Sequence, residues 1–404
     1  MFKPITACLL ATAALVAASP AFAQDEETER FEGAPRIGST GGWSLKPRGR
    51  FQYDVGHISG PVGLNADLGA VNELRRVRIG VEGTAPGGFG YAFEIDFAGS
   101  IVEITDAVVT YKAADPLTFT VGQHNSFQSL EELTSSRFNT FLERAAFTDA
   151  FNFERRVGAS ATYVSGPLTA QAGVFIDNLR DLDDGDDTVS IDGRLVYAPR
   201  VGETQLHFGA SAHWRDNGDL VERGATTRYR QRPAIHATDV RFLATPAMPV
   251  EQETNYGLEA AVIRGPFHAV AEAHWLDAGT RTGPEPSLFG GYVELGWFIT
   301  GEARGYRGAR FDRTRVRRGG ALEEGGFGAL QVAVRYDHLD LSSNGVTGGK
   351  QAGWQAALTW IPTDHVRFLA SYARLDYRDA RLPAAGGDRD YAVDVLGVRA
   401  QLDF

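Results

Sequence analysis

The residues with the clearest chemical potential are arginines that alternate with apolar residues early in the chain. Arg76 and Arg78 are interleaved with Val77 and Ile79, and Arg75 stands directly before them. Because successive side chains of a β-strand point to opposite faces, Arg76 and Arg78 share one face and the apolar residues share the other. A guanidinium group is a planar, permanently charged fork that matches the oxygens of phosphate and carboxylate groups. The stretch therefore predicts a charged strand face that either binds anions or pairs with neighbouring carboxylates.

The overall composition is rich in arginine without being basic. Of the 40 Lys and Arg residues four are lysine, and 51 acidic residues give a net charge of −11. Binding of nucleic acid needs a basic footprint, so this balance argues against nucleic acid as a general partner. A high arginine content is equally consistent with a GC-rich genome, so the position of each arginine has to decide its role.

The first 23 residues predict a secretory signal peptide. A lysine lies near the start, small and apolar residues run from Ala7 to Val16, and Ala21-Phe22-Ala23 fits the A-x-A cleavage pattern. Cys8 lies inside this segment. The chain predicted to remain after cleavage therefore has no disulfide framework and no thiol chemistry.

The rest of the chain divides into a short arm and one long region of alternating residues. Residues 24–42 are acidic and then glycine-rich, which predicts a mobile arm. From Trp43 to Phe404 about sixteen short runs alternate apolar and polar residues, and in the last run every second residue from Leu396 to Phe404 is apolar. Short turns and longer connections separate these runs in alternation. Residues 43–404 are therefore predicted to form an all-β, transmembrane antiparallel β-barrel of about sixteen strands.

The alternative fold is a large soluble β-protein or a propeller. A propeller would show a blade repeat of roughly 40 residues, and the sequence has none. A transmembrane helix would need about 18 or more consecutive apolar residues, and no such stretch follows the signal peptide. The repeated alternation therefore favours the barrel.

No motif predicts catalysis, a metal site or a cofactor. The acidic run at residues 179–187 lacks the third ligand and the distal glutamate of an EF-hand calcium loop, which favours a solvated loop. His207 and His213 lie on the polar side of one run, which predicts pore-lining side chains rather than metal ligands. The sequence contains no HExxH, G-x-S-x-G or P-loop pattern.

Several stretches together resemble the phosphate-selective porin O and P family. They are Asn72–Gly83, Gly90–Ala98, Gly122–Arg137, Phe141–Arg144, Arg155–Gly158, Ile299–Tyr306 and Ala333–Asp340. The resemblance extends from about Trp43 to Phe404. It implies a sixteen-stranded, trimeric porin with an inward-folded third loop and a ladder of wall arginines.

The resemblance and the parity of the residues assign positions to the arginines. The resemblance implies wall positions for Arg75, Arg76 and Arg78. A charge facing lipid costs roughly 2–4 kcal/mol near the bilayer midplane, so Arg76 and Arg78 are predicted to face the lumen. Arg75 has the opposite parity and is predicted to lie beyond the apolar band or at a strand end. The alternative to anion binding is that Glu82, Glu94 and Asp96 neutralise the lumen arginines.

The loop from Asn125 to Phe153 is the longest early connection. Ser129 is a candidate helix cap, with two glutamates in the first turn after it. The resemblance implies that Arg137 or Arg144 is contributed by this loop. Folded inward, the loop would narrow the pore and bring both to the constriction, whereas an outward-facing loop would be only an exterior one.

Two later connections also carry many arginines. The loop from Arg215 to Val240 contains Arg228 and Arg230, which either line the mouth of the pore or meet lipopolysaccharide phosphates. The connection Gly301–Gly326 follows an even number of runs, which places it at the periplasmic end. We expect it to fold into the lumen only if its arginines meet carboxylates there, such as Glu294.

These observations predict an outer-membrane porin of a Gram-negative bacterium that passively conducts anions through an arginine-lined pore, with phosphate or a related oxyanion implied by the resemblance. The expected partners are inorganic anions, outer-membrane lipid, lipopolysaccharide and further copies of the chain in a homotrimer; no cofactor is expected. The first alternative is a general diffusion porin whose arginines are all paired. The second is an outer-membrane barrel enzyme such as a phospholipase, which requires a Ser–His pair on the outer wall.

Overall fold

The computed structural model describes residues 40–99, 102–182, 188–317 and 320–404. The predicted signal peptide, nearly all of the predicted arm and most of the acidic run at 179–187 lie outside the described residues. Within the described part of the chain, no helix is long and apolar enough to cross a membrane.

Sixteen long antiparallel strands make up most of the molecule. They are β1 (Ser44–Ser59), β2 (Gly69–Ala85), β3 (Phe89–Asp96), β4 (Glu103–Ala114), β5 (Leu117–Asn125), β6 (Arg155–Ser165), β7 (Leu168–Phe175), β8 (Val189–Tyr197), β9 (Thr204–Asp216), β10 (Val250–Arg264), β11 (Phe267–Thr280), β12 (Ser287–Phe298), β13 (Ala329–Ser343), β14 (Val346–Thr363), β15 (Val366–Arg378) and β16 (Tyr391–Asp403). Each strand pairs with its neighbours in sequence, and β1 pairs with β16 from Arg50↔Asp403 to Ser59↔Asp394. The sheet is therefore a closed barrel, and the predicted number of strands is confirmed.

The connections contain short elements. The helices are α1 (Leu130–Leu133), α2 (Ala146–Ala150) and α3 (Gly218–Glu222), and three 3₁₀ turns lie at Thr40–Gly42, Leu322–Glu324 and Ala385–Gly387. A two-residue strand at Arg200–Val201 extends the turn before β9. Two small hairpins pair Arg230–Gln231 with Leu243–Ala244, and Gly305–Arg307 with Arg310–Asp312.

The two faces of the barrel differ in the way that the alternation predicts. Along β16, Leu396, Val398 and Leu402 are exposed on the outside, whereas Arg399 and Gln401 between them are buried on the inside. The same pattern runs along β1 and β9. In a bilayer the exposed apolar side chains would meet lipid tails, and the polar residues between them would line the lumen.

The two ends of the barrel differ in the length of their connections. One end carries the tight turns at residues 86–88, 115–116, 166–167, 265–266 and 364–365, together with both ends of the strand series. The other end carries the connections between β5 and β6, β9 and β10, and β15 and β16. The connection of residues 299–328 between β12 and β13 is long but lies at the short-turn end. It binds the turn after β14, where Asp364 accepts a hydrogen bond from the Val316 amide at 3.0 Å.

Candidate functional site

A β-bulge in β2 determines where the three consecutive arginine positions point. The register passes from Gln52↔Arg76 to Tyr53↔Leu74, which leaves Arg75 as an extra residue. An extra residue resets the alternation, so Arg75 and Arg76 both point inward. Arg75 donates hydrogen bonds of 2.9 and 3.1 Å to the two carboxylate oxygens of Glu143. The prediction that Arg75 lies beyond the apolar band or at a strand end is therefore wrong.

Arg76 and Arg78 both face the lumen, as predicted, but their electrostatic surroundings differ. Arg78 lies 2.7 Å from Asp96 and 3.2 Å from Glu94, so its charge is matched by wall carboxylates. Arg76 is buried, and it donates one hydrogen bond of 2.9 Å to the Gln52 side-chain oxygen. It forms no ion pair with any carboxylate in the described part of the chain, and its Nε has no partner there. Of the two, Arg76 is the unpaired one.

The segment of residues 126–154 between β5 and β6 is buried and bound to inner faces of distant strands. Glu272 of β11 accepts hydrogen bonds from the amides of Leu130 and Glu131 at 2.8 and 2.9 Å. Asp337 of β13 accepts one from the Ala146 amide at 3.0 Å. The segment is thus held by its backbone against strands that are far from β5 and β6 in the barrel.

Local sequence explains how this segment begins. Ser129, the predicted cap, accepts a hydrogen bond from the Glu132 amide at 3.2 Å, which satisfies one free amide of α1. Glu131 contacts Arg335 of β13. Burial raises the pKa of Glu131 to about 7. The Arg335 charge lowers this pKa, whereas the nearby carboxylates of Glu294 and Glu272 raise it.

The two arginines predicted in this segment have different partners. Arg144 donates to the backbone carbonyls of Glu131, Glu132 and Thr134 at 3.0–3.1 Å, which braces the turn. Arg144 also forms an ion pair of 3.2 Å with the Glu132 carboxylate. Arg137 lies 3.8 Å from Asp403 of β16.

A second charge network joins this segment to the seam between β1 and β16. Arg399 binds Asp54 through two hydrogen bonds of 2.7 Å and also binds Glu143 at 3.0 Å. Burial alone would raise the pKa of Glu143, but the Arg75 and Arg399 guanidinium groups hold it well below its usual range. Glu143 therefore stays ionised, and the ion pairs that it forms are with Arg75 and Arg399.

Two adjoining cavities open beside these residues at the long-loop end. One has a volume of about 620 Å³, and its lining includes Arg76, Arg78 and six carboxylate side chains. The other, of about 540 Å³, is lined by seven arginines and two carboxylates. Its arginines are Arg156, Arg180, Arg215, Arg228, Arg230, Arg232 and Arg241. Positive charge is therefore concentrated in the second cavity.

Arg228 and Arg230 both lie in that second cavity. Both side chains are exposed, and neither guanidinium group has a hydrogen-bond or ion-pair partner among the described residues. Tyr229 between them points inward and donates a hydrogen bond of 2.5 Å to Glu253 of β10. The alternation of exposed arginine and buried tyrosine leaves both guanidinium groups free toward solvent.

At the short-turn end, the connection of residues 299–328 reaches inner-face side chains. Arg304 donates a hydrogen bond of 2.8 Å to Glu294 of β12, and its guanidinium group stacks over Phe311 at 3.8 Å. Arg313 contacts Asp403. Arg304 therefore meets the condition set for inward folding of Gly301–Gly326, contact with a lumen carboxylate such as Glu294. That this segment narrows the periplasmic exit stays a prediction.

Sequence reasoning missed the wall residues that hold the segment of residues 126–154. Glu272, Arg335 and Asp337 have inward parity on β11 and β13, and each binds residues 126–154. Parity alone predicts that they face inward, but it carries no information about which distant segment they meet. His207 does face inward as predicted, where it is hydrogen-bonded to Glu259 at 2.9 Å and to Tyr306 at 2.6 Å.

A closed sixteen-stranded barrel with an apolar outer face and a charged inner face defines an outer-membrane porin. Residues 45–404 match the family described as phosphate-selective porin O and P, and the chain belongs to this family. It therefore resides in the outer membrane of a Gram-negative bacterium, as predicted.

Relatives and solved structures agree with this assignment. The chain is 27% identical to Porin O of Pseudomonas aeruginosa over 82% of this chain and 83% of that protein. It is 49% identical to an uncharacterized protein of Caulobacter vibrioides over 96% of this chain and 79% of that protein. The fold is similar to an anion-selective porin from Comamonas acidovorans, with a TM-score of 0.57 and 13% identity over 90% of this chain and all of that one. It is also similar to the trimer form of OmpT from Vibrio cholerae, with a TM-score of 0.55 and 10% identity over 90% of this chain and 99% of that one.

Proposed function

We propose that this porin passively conducts anions, and that phosphate or a related oxyanion is the preferred one. The observation that carries the proposal is Arg76, a buried lumen cation whose charge no described carboxylate matches within ion-pair distance. A desolvated, uncompensated guanidinium attracts an anion and replaces part of its hydration shell. The family description, phosphate-selective porin O and P, and the name of the anion-selective porin from Comamonas acidovorans support this proposal.

The path begins at the long-loop end. Arg228 and Arg230, exposed and unpaired among the described residues, attract anions into the basic cavity. Anions then reach Arg76 in the adjoining cavity. There, residues 126–154 fold into the lumen and form the constriction, a placement supported by their contacts with the inner faces of β11 and β13.

The path ends at the short-turn end. The connection of residues 299–328 narrows the exit with Arg304 and Arg313, which are already engaged by Glu294 and Asp403. Weak sites in series let an anion enter and leave again, which suits conduction better than one tight site. The porin acts as a homotrimer, as the trimer form of its structural neighbour OmpT suggests.

The seven arginines predicted as anion contacts take three roles in this proposal. Arg76, Arg228 and Arg230 meet the anion directly. Arg75 and Arg78 set the local potential while they are paired with Glu143 and with Glu94 and Asp96. Arg137 and Arg144 shape the constriction.

A general diffusion porin is the second candidate, because several lumen arginines are paired. Arg48, for example, lies 2.6 Å from Asp106 and 3.3 Å from both Glu82 and Glu94. If pairing governed every lumen arginine, the pore would have little preference among small ions. Arg76 is the residue on which the two candidates disagree.

The test compares Arg76→Ala with Arg78→Ala, since both side chains lie on the same face of the same strand. Reversal potentials in a planar bilayer under a salt gradient report the anion-over-cation preference. Arg76→Ala is expected to weaken phosphate block by about tenfold, the effect of losing one charge-assisted contact. Arg78→Ala frees Asp96 and leaves Glu94 with Arg48 and Arg50, so it shifts the reversal potential toward cations with a smaller effect on phosphate block. Equal, small effects of both variants would favour the general diffusion porin.

A further inference from the structure

The seam between the first and last strands contains a notch in its inner wall. Gly56 of β1 and Gly397 of β16 are direct cross-strand partners, and both have inward parity. Because neither position has a side chain, the inner wall has a recess that is two residues wide at this point. The neighbouring inward pairs, Asp54↔Arg399 and Ile58↔Val395, both carry full side chains.

Two different loops insert an aliphatic side chain into this notch. A Cβ atom added to Gly397 would lie 2.3 Å from Cδ1 of Leu142, which belongs to the segment of residues 126–154. A Cβ atom added to Gly56 would lie 2.4 Å from Cδ1 of Ile235, which belongs to the connection between β9 and β10. Leu142 is 2% exposed and Ile235 is fully buried. The paired glycines thus form one seat shared by both loops.

The residue after Leu142 is the carboxylate that neutralises Arg75. Glu143 binds Arg75 at 2.9 Å and Arg399 at 3.0 Å, and Arg399 is two residues from Gly397 on the same strand face. Displacing Leu142 would therefore move Glu143 away from Arg75. The notch therefore lies beside the ion pairs of Glu143 with Arg75 and Arg399, in which Arg76 takes no part.

The second loop has further contacts with the same region. Next to Ile235, His236 is hydrogen-bonded at 2.9 Å to Glu73 on the inner face of β2. The backbone amide of Arg232 donates a hydrogen bond of 2.7 Å to Asp149 in the segment of residues 126–154. These polar contacts are partly exposed, and exposed ion pairs hold long side chains only weakly. Among the contacts of this loop near the seam, the aliphatic contact of Ile235 is the fully buried one.

We propose that the Gly56–Gly397 notch, filled by Leu142 and Ile235, is a positioning site that sets the width and selectivity of the pore. It holds both loops at the constriction and holds Glu143 against Arg75. This inference rests on the proposed function, because it assumes that residues 126–154 form the constriction.

The test uses the full-length porin in planar bilayers, with Gly397→Val to fill the notch and Leu142→Ala to empty it. Both variants are expected to raise single-channel conductance, because the constriction loosens. They are expected to strengthen phosphate block by about tenfold, or about 1.4 kcal/mol, because Arg75 loses its partner Glu143. The double variant should resemble either single one, because both remove the same contact. Gly193→Val is the matched control, since the nearest atom to an added Cβ there is 4.0 Å away, and it should behave as wild type.

The outcomes separate the inference from the function on which it rests. Heat-modifiable gel mobility selects the variants that retain a folded barrel, and Gly56→Ala provides a milder second variant. Wild-type conductance and phosphate block in folded Gly397→Val and Leu142→Ala would overturn the positioning role. A wild-type pore without anion preference or phosphate block would contradict the proposed function, while the conductance of the variants would still test the positioning role.

Discussion

The segments of residues 126–154 and 299–328 both reach the inner wall, but they are attached to it by different chemistry. The first is held by backbone amides that donate to wall carboxylates and by its own carboxylates, which pair with wall arginines. It also buries Leu130, Phe141 and Phe147 almost completely. The second is held mainly by arginine side chains, among them Arg304 on Glu294 and Arg313 on Asp403.

This difference has a consequence for how each segment responds to ions. Hydrophobic burial and backbone amides bound to carboxylates offer a passing anion no cation, whereas an arginine held by a carboxylate can exchange that partner for the anion. In the proposed path, the segment of residues 126–154 would therefore be a fixed structure. The segment of residues 299–328 would be held by contacts for which the anion is a competitor.

The largest effect is expected from removing the fixed segment. Deleting Ser129–Phe141 removes α1 and its attachment to Glu272, so single-channel conductance should rise severalfold and phosphate block should disappear. Planar bilayer recordings measure both quantities, and heat-modifiable gel mobility confirms that the barrel is folded. Unaltered conductance would show that this segment lies outside the conduction path.

Two wall carboxylates allow a buried ion pair to be compared with hydrogen bonds to backbone amides. Glu294 also accepts a hydrogen bond of 2.7 Å from Thr140 of the first segment. Glu294→Ala leaves Arg304 and Arg335 buried without this partner, and breaking a buried ion pair typically costs about 3–5 kcal/mol. Glu272→Ala removes hydrogen bonds to two amides, each of which leaves an unsatisfied group costing about 1–3 kcal/mol. We expect thermal unfolding in detergent to show the larger loss for Glu294→Ala. The comparison fails if Glu272→Ala is the more destabilised variant.

A single cysteine probes the exchangeable character of the exit segment. Arg310 is exposed in the hairpin of residues 305–312, so Arg310→Cys should react with a small thiol reagent added from the periplasmic side. Phosphate should slow that reaction. Asn152→Cys, exposed at the other end of the barrel, serves as the control and should react from outside. Labelling of Arg310→Cys on intact cells by a reagent too large for the pore would place the segment at the exterior end.

The smallest expected effect is a dependence of stability on pH through Glu131. Its pKa is raised to about 7, so the folded protein keeps a proton that the unfolded chain releases from about pH 4.5 upward. The folded state therefore loses stability as the pH rises between these values. Glu131→Gln should flatten the change in melting temperature between pH 5 and pH 8, whereas the exposed Glu323→Gln should not. An unchanged slope in Glu131→Gln would assign the pH dependence to other groups.

The strands were predictable because their signal is local. A period of two over each run identifies both the strand and its outer face, and it correctly placed the exposed Leu396 and Val398 and the buried Arg399. The direction of Arg75 was predicted wrongly because the alternation assumes an unbroken ladder. A one-residue bulge shifts the direction of every side chain on one side of it.

The partners of the site residues were not predictable, because they come from distant parts of the chain. The pairing of Arg78 with Glu94 and Asp96 was an open alternative that parity could raise but not decide, since it depends on side-chain reach. The attachment of Arg75 to Glu143 depends on how a loop folds, and no periodic pattern encodes that. The lack of a carboxylate partner for Arg76 is a property of the assembled wall.

The seam between β1 and β16 has a consequence for biogenesis. Its inner face joins Asp54 to Arg399 across 345 positions of sequence and Gln52 to Gln401 across 349. Contacts of such separation are slow to form, because the entropy of closing the chain is lost before the contact contributes. Synthesis and insertion must reach the last strand before these charges find each other. An unclosed intermediate would expose a carboxylate on one edge and a guanidinium on the other, so their attraction would guide the two edges together as the barrel closes.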